Sequence, residues 1–178
     1  MSETLARLSR ILGSPPENML DTLEWSDLEL QIGTRLPVDY KILVSAYPRL
    51  CLADFIRLLD PRKSIPGLRP LEANAWNSEW LADMREDFPE EFPYPAFPEP
   101  EGVLMWANTT DGDYCYWQVI GEPEEWEVVI STDKGRFWSR FPGGVIDFLE
   151  ALEIRPETLP QPLRHFPRPS SEVYCKID

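Results

Sequence analysis

The sequence predicts an α+β fold, an antiparallel-rich sheet of four to six strands flanked by helices. Up to Phe88 the apolar residues recur mostly at helical spacing, whereas Gly102 to Phe141 breaks into short β-rich runs divided by turn signals. Nineteen prolines cut the chain too often for long helical bundles. At 43% hydrophobic residues, the 178-residue chain can bury a core that offsets its ordering entropy, but it is short for two well-sized cores and a linker. One domain over 1–178 is expected, with its core in 25–152 and a Pro-rich extension over 153–178.

Leu5, Leu8 and Leu12 predict a short amphipathic helix over 3–12 that stops at Gly13. Ser26 and Glu29 have the spacing of a capping box, and Trp25, Leu28 and Ile32 share one stripe of the helix that follows, with Gly33 as its stop. Pro37 suits the first position of a third helix, whose buried face is Tyr40, Leu43, Val44 and Tyr47. Phe55, Ile56, Leu58 and Leu59 indicate a short strand before Asp60-Pro61. Trp76, Trp80, Leu81, Met84 and Phe88 line one side of a helix over 71–88, which Pro89 ends. Residues 89–100 form a stiff, acidic, aromatic loop with five prolines, either an ordered flap or a recognition loop.

The meander follows as Val103–Ala107, Tyr114–Ile120, Trp126–Ser131 and Arg136–Phe141. Asp111-Gly112 and Asp133-Lys134-Gly135 supply its tight turns. Alternation sends Cys115, Trp117 and Val119 to one face of the second strand, and Tyr114, Tyr116 and Gln118 to the other. Pro142 opens a helix with Val145, Phe148, Leu149 and Leu152 inward. The tail from Arg155 wraps the surface, and Val173 to Ile177 offers an edge strand.

Thirty-one acids against seventeen Lys plus Arg give a net charge of −14, which disfavours nucleic acid and anionic membrane surfaces and favours a basic protein as partner. Solubility alone is the competing reason for that charge. Cys51, Cys115 and Cys175 are widely spaced, with no pair at metal-ligand or redox spacing, and read as reduced thiols. Residues 1–13 interleave Arg7 and Arg10 with leucines, unlike a signal peptide, and no run reaches the length of a membrane span, so a cytoplasmic location is expected.

Catalytic chemistry is sparse. The one histidine, His165, sits in the Pro-rich tail. Nucleophile elbow, phosphate loop and dinucleotide fingerprint are all missing, and Gly143-Gly144 is better explained by close packing. Asp111-Gly112-Asp113 resembles a piece of a calcium loop but lacks the later oxygen ligands, so a hairpin turn is the reading. No metal, no cofactor and no catalytic residue is expected. The expected partner surface comprises Glu90, Glu91, Glu99, Glu101, Asp111, Asp113, Glu124 and Glu125, with Phe92, Tyr94 and Trp126 as aromatic anchors.

The order of these signals resembles the SUKH superfamily of immunity and protein-binding domains. The residues that carry it are Ile32-Gly33-Thr34-Arg35-Leu36-Pro37-Val38-Asp39-Tyr40-Lys41, then Gly112-Asp113-Tyr114-Cys115-Tyr116-Trp117, then Phe148-Leu149. The resemblance spans 25–152. It implies a SUKH-like sheet flanked by helices, no catalysis, and often neutralisation of a cognate toxin made by competing bacteria; the negative charge of this chain makes a basic toxin, foremost a nuclease, the expected target. Other relatives act as scaffolds in cell-wall or signalling regulation, which makes a housekeeping domain with an endogenous protein partner the alternative. An acid/base hydrolase is the remote one. Ala46-Tyr47-Pro48, the 89–100 loop and the long tail depart from the family pattern.

Overall fold

A single antiparallel sheet organises the molecule. The computed structural model describes residues 3–16, 23–169 and 175–176. Its helices are α1 (Glu3–Leu12), α2 (Trp25–Ile32), α3 (Val38–Ala46), α4 (Pro70–Asp87) and α5 (Val145–Ile154). The strands are β1 (Leu50–Leu52), β2 (Ile56–Leu58), β3 (Val103–Thr109), β4 (Tyr114–Gln118), β5 (Glu127–Thr132), β6 (Phe137–Phe141) and β7 (Cys175–Lys176). They lie in the order β6-β5-β4-β3-β2-β1-β7, each pair antiparallel. The fold is thus α+β, with six strands and a two-residue seventh against β1. Of the expected Val173 to Ile177 strand, Val173, Tyr174 and Ile177 lie outside the described residues.

Both faces of the sheet are covered. On one, α1, α3 and α5 close a core containing Leu8, Leu43, Trp106, Trp117, Val128 and Phe148. That core also takes in Leu159, Leu163 and Phe166 from the tail, so apolar burial extends on both sides of 25–152. On the other face, α4 and the segment after it cover Met105, Tyr116 and Val129 with Leu81 and Phe92. The register of β3 shifts between Met105 and Ala107 at a bulge. Met105 then joins the α4 core, while Trp106 and Ala107 both join the other.

Four local expectations are corrected. Ser26 does not cap α2: Glu24 holds that position without a side-chain hydrogen bond. Glu29 instead accepts from Leu36 N at 2.8 Å and Lys41 Nζ at 2.7 Å, tying α2 to α3, because a part-buried ion pair competes well for its carboxylate. Pro37 caps α3 from one residue before the helix. The single strand expected near Phe55 is the second arm of a hairpin, turned by Ala53 and Asp54 at φ 51 and 52. Finally, α4 buries Pro70, Ala73, Asn77 and Leu81, and leaves Trp76 and Phe88 exposed.

That last difference comes from amides doing work usually left to apolar side chains. Asn74 receives Met105 N at 2.8 Å and donates to Met105 O at 3.0 Å, and Asn77 accepts the Tyr116 hydroxyl at 2.8 Å. The helix therefore docks on the sheet through satisfied polar bonds, which cost nothing in orphaned donors. Gly144 does sit in close packing: a Cβ there would meet Asp39 Oδ2 at 2.7 Å. That oxygen accepts from Ile146 N at 3.2 Å, so Asp39 caps α5 from α3, and burial raises its pKa above the usual carboxyl range.

Candidate functional site

Helix α4 carries a single outward stripe. Glu72, Trp76, Glu79, Asp83, Glu86 and Asp87 are all exposed and recur at three- and four-residue steps, so they share one face. Arg69 pairs with Glu72 at 2.6 Å. Among the described residues, no ion pair neutralises Glu79, Asp83, Glu86 or Asp87. Glu86 and Asp87 stand in the last turn, where the helix dipole disfavours negative charge by about 0.3–1 kcal/mol each. Two large apolar side chains accompany the stripe, Trp76 at 53% and Phe88 at 49% exposure.

Beneath Trp76 lies a network of rings. Trp76 stacks on Trp80 with centroids 6.1 Å apart, and Tyr114 approaches both, at 6.2 and 5.2 Å. Trp80 meets Phe92 edge-on at 5.5 Å, and Trp138 joins Phe92, Tyr94 and Tyr116. Burial raises the Tyr114 and Tyr94 pKa values above the usual phenol range. The network fixes the exposed indole in place at little entropic cost on binding.

The expected partner residues divide between the two ends of the sheet. Glu90, Glu91 and Asp111 are exposed near the β3–β4 and β5–β6 turns, the end that α4 crosses. Asp113 shares that end but is buried: it accepts from Thr109 Oγ1 at 3.2 Å and Asp133 N at 3.2 Å, joining the two turns. Burial raises its pKa despite those bonds. Glu99, Glu101, Glu124 and Glu125 are exposed at the opposite end, with Glu99 3.7 Å from Arg85. Glu125 closes a short 3₁₀ turn by accepting Glu122 N at 2.9 Å.

Two of the three expected anchors are core residues. Phe92 is 3% exposed and Trp126 is 2% exposed. Phe92 is drawn in by Trp80 and Trp138, and Trp126 by Trp117 at 5.9 Å. Tyr94 is half-buried against Trp138. The exposed rings are Trp76 and Phe88, and Trp76 stands on the side of α4 that also carries Glu72, Glu79, Asp83 and Glu86. Acids at 72, 79, 83 and 86 have the same helical period and were the available sign that this side faces water.

Ionisable groups also converge in the interior. Asp60, 1% exposed, accepts from Arg49 N at 2.8 Å and from Arg62 N and Nε at 2.9 Å. Lys63, 3% exposed, donates to Leu58 O at 2.6 Å, and the Tyr40 hydroxyl donates to Leu59 O. All but the Arg62 Nε bond, which joins two side chains, fasten backbone around the β1–β2 hairpin. Among the described residues, no three His, Cys, Asp or Glu are gathered as a metal ion would require, and no helix is long and apolar enough to cross a membrane.

In comparison with known families, the profile of the SMI1-KNR4 cell-wall family, within the SUKH superfamily, aligns with residues 22–141. No curated protein and no solved structure matches the chain significantly.

Proposed function

The chain belongs to the SMI1-KNR4 cell-wall family of the SUKH superfamily, and from that premise we propose that it is an immunity-type domain that neutralises a basic toxin domain, foremost a nuclease. Domains of this superfamily are generally non-enzymatic and bind protein partners. The observation that supports the basic partner is the α4 stripe, an exposed tryptophan followed on the same face by four carboxylates that no ion pair neutralises among the described residues. Such a surface attracts a cationic face over distance and then offers an indole to it at contact. Glu90, Glu91 and Asp111 extend the stripe at the turn end of the sheet, whereas Glu99, Glu101, Glu124 and Glu125 belong to a separate surface.

The test is binding to the basic toxin domain produced from the adjacent gene, measured against salt. Raising salt from about 50 to 200 mM should weaken the complex by at least about tenfold, and Glu79→Lys with Asp83→Lys and Glu86→Lys should abolish both binding and protection. A complex indifferent to salt and to that triple reversal would remove α4 from the interface. Absence of any complex or protection would defeat the immunity reading itself. The cell-wall description of the matched family favours a second reading, a housekeeping scaffold with an endogenous partner. A pull-down that recovers the same host protein in cells without the toxin would select it.

A further inference from the structure

We infer that the cleft between α4 and the β3–β4 turn is a binding site for a carboxylate carried on a small flat apolar group. The cleft measures about 230 Å³, smaller than a drug-sized pocket and close to the size of one side chain. Ala73 and Met105, each 3% exposed, belong to its lining, and Trp76 and Tyr114 form aromatic walls. Gly67 and Gly112 leave its mouth open, since a Cβ at either would meet nothing within 4 Å.

Arg57 supplies the charge. It lines the cleft and donates from Nε to Asn108 Oδ1 at 2.8 Å and from Nη2 to Thr109 O at 2.8 Å. Both acceptors are neutral. In a chain with 31 acids and 17 Lys plus Arg, a half-buried arginine would be expected to hold a carboxylate, yet among the described residues none pairs with it. Its Nη1 has no acceptor there either. Asn108, its register partner across β2 and β3, holds the guanidinium in place in the cleft that the two rings also line. A fixed guanidinium with free donors in a cleft walled by aromatic rings selects a planar anion over a cation or a neutral amide.

The site shares Trp76 with the α4 stripe but none of its carboxylates, since Glu79, Asp83 and Glu86 do not line it, so binding here can be tested apart from the reading given to that stripe. The experiment is a two-dimensional NMR titration of the full chain with 3-phenylpropionate and with 3-phenylpropanamide. The acid should bind with Kd on the order of 1 mM and shift the Trp76 indole, Gly67 and Gly112 signals, with the amide at least about tenfold weaker. Arg57→Gln should cost the acid about tenfold and leave the amide unchanged. Gly-Gly-Phe with a free carboxylate, against its C-terminal amide, distinguishes sources: tighter binding than the free acid assigns the site to a chain end, equal binding to a small acid. Equal affinity for acid and amide in the unaltered protein overturns the inference without relying on any variant, as do shifts confined to other surfaces. The triple α4 reversal should leave acid binding intact, so loss of partner binding and loss of this site are separable results.

Discussion

Single buried residues decide whether the β1–β2 hairpin holds its shape. Lys63 is pushed down to about 8, chiefly by burial and against the pull of Asp60. In the unfolded chain a lysine stays protonated to about 10.4. Between those values the unfolded state holds more protons than the folded one, so stability rises with pH there and is flat below. The difference in unfolding free energy between the natural chain and Lys63→Met should therefore climb in favour of lysine from about pH 8 to 10, by at most about 1.4 kcal/mol per unit. Urea titrations of both proteins at several pH values read this directly, and a pH-independent difference would show that the ammonium is solvated. Two glycines offer a sharper contrast. A Cβ at Gly135, φ +95, would lie 2.3 Å from the Phe92 ring, while at Gly112, φ +89, it would meet nothing. Gly112→Ala should cost about 1 kcal/mol from its backbone alone. Gly135→Ala should cost about 2–4 kcal/mol, because overpacking adds to it. Equal losses in urea unfolding would mean that Phe92 does not pack where it is described.

At the scale of elements, charge fastens what apolar contact alone would hold loosely. Arg7 on α1 reaches Glu150 and Asp147 on α5, each at 2.6 Å, and its guanidinium holds the Glu150 carboxyl below the usual range. The Glu150 contribution is complete above the unfolded pKa, about 4.3, and is lost as pH falls through the lower folded value. Partial exposure limits it to about 1 kcal/mol. Arg7→Ala should thus destabilise at pH 7 and converge with the natural chain in thermal unfolding once pH has fallen through the lowered Glu150 value, and a difference that persists in stronger acid would point to lost packing of the arginine stem instead. The same scale shows what could be read from sequence. The β3–β6 meander, the Tyr40-Leu43-Val44-Tyr47 face and the inward side of α5 follow from one strong period each, and the structure has all of them. The β1–β2 hairpin was hidden because Ala53 and Asp54 take left-handed backbone without glycine or asparagine to announce it. The spacing of Trp76, Trp80, Leu81, Met84 and Phe88 finds the docking side of α4 through Leu81, with Trp80 and Met84 packed on the same core, but it misses Ala73, Asn74 and Asn77, small and amide residues that no hydrophobic period detects, and with them the exposure of Trp76 and Phe88. Phe92 and Trp126 looked like anchors because they adjoin acidic runs, and neighbours in sequence do not say which way a ring points.

For the whole molecule the open choice is whether a charge of −14 serves solubility or attraction, and salt separates the two. Unpaired carboxylates along α4 repel one another and the remaining excess acids, so screening them should stabilise the fold. Attraction to a cationic partner is screened by the same ions, so salt should weaken the complex. The urea midpoint of the free protein should rise between about 20 and 500 mM salt while partner affinity falls. Lysine at 79, 83 and 86 removes the local excess of negative charge on α4; this variant should gain less stability from salt than the natural chain, and should lose the salt-sensitive part of binding. A stripe kept only for solubility predicts the first result without the second, since the variant would then relax the fold yet leave the complex as salt-sensitive as before. Measuring both quantities on both proteins thus tests one physical statement: that the repulsion stored on the outer face of α4 is relieved when a basic surface covers it.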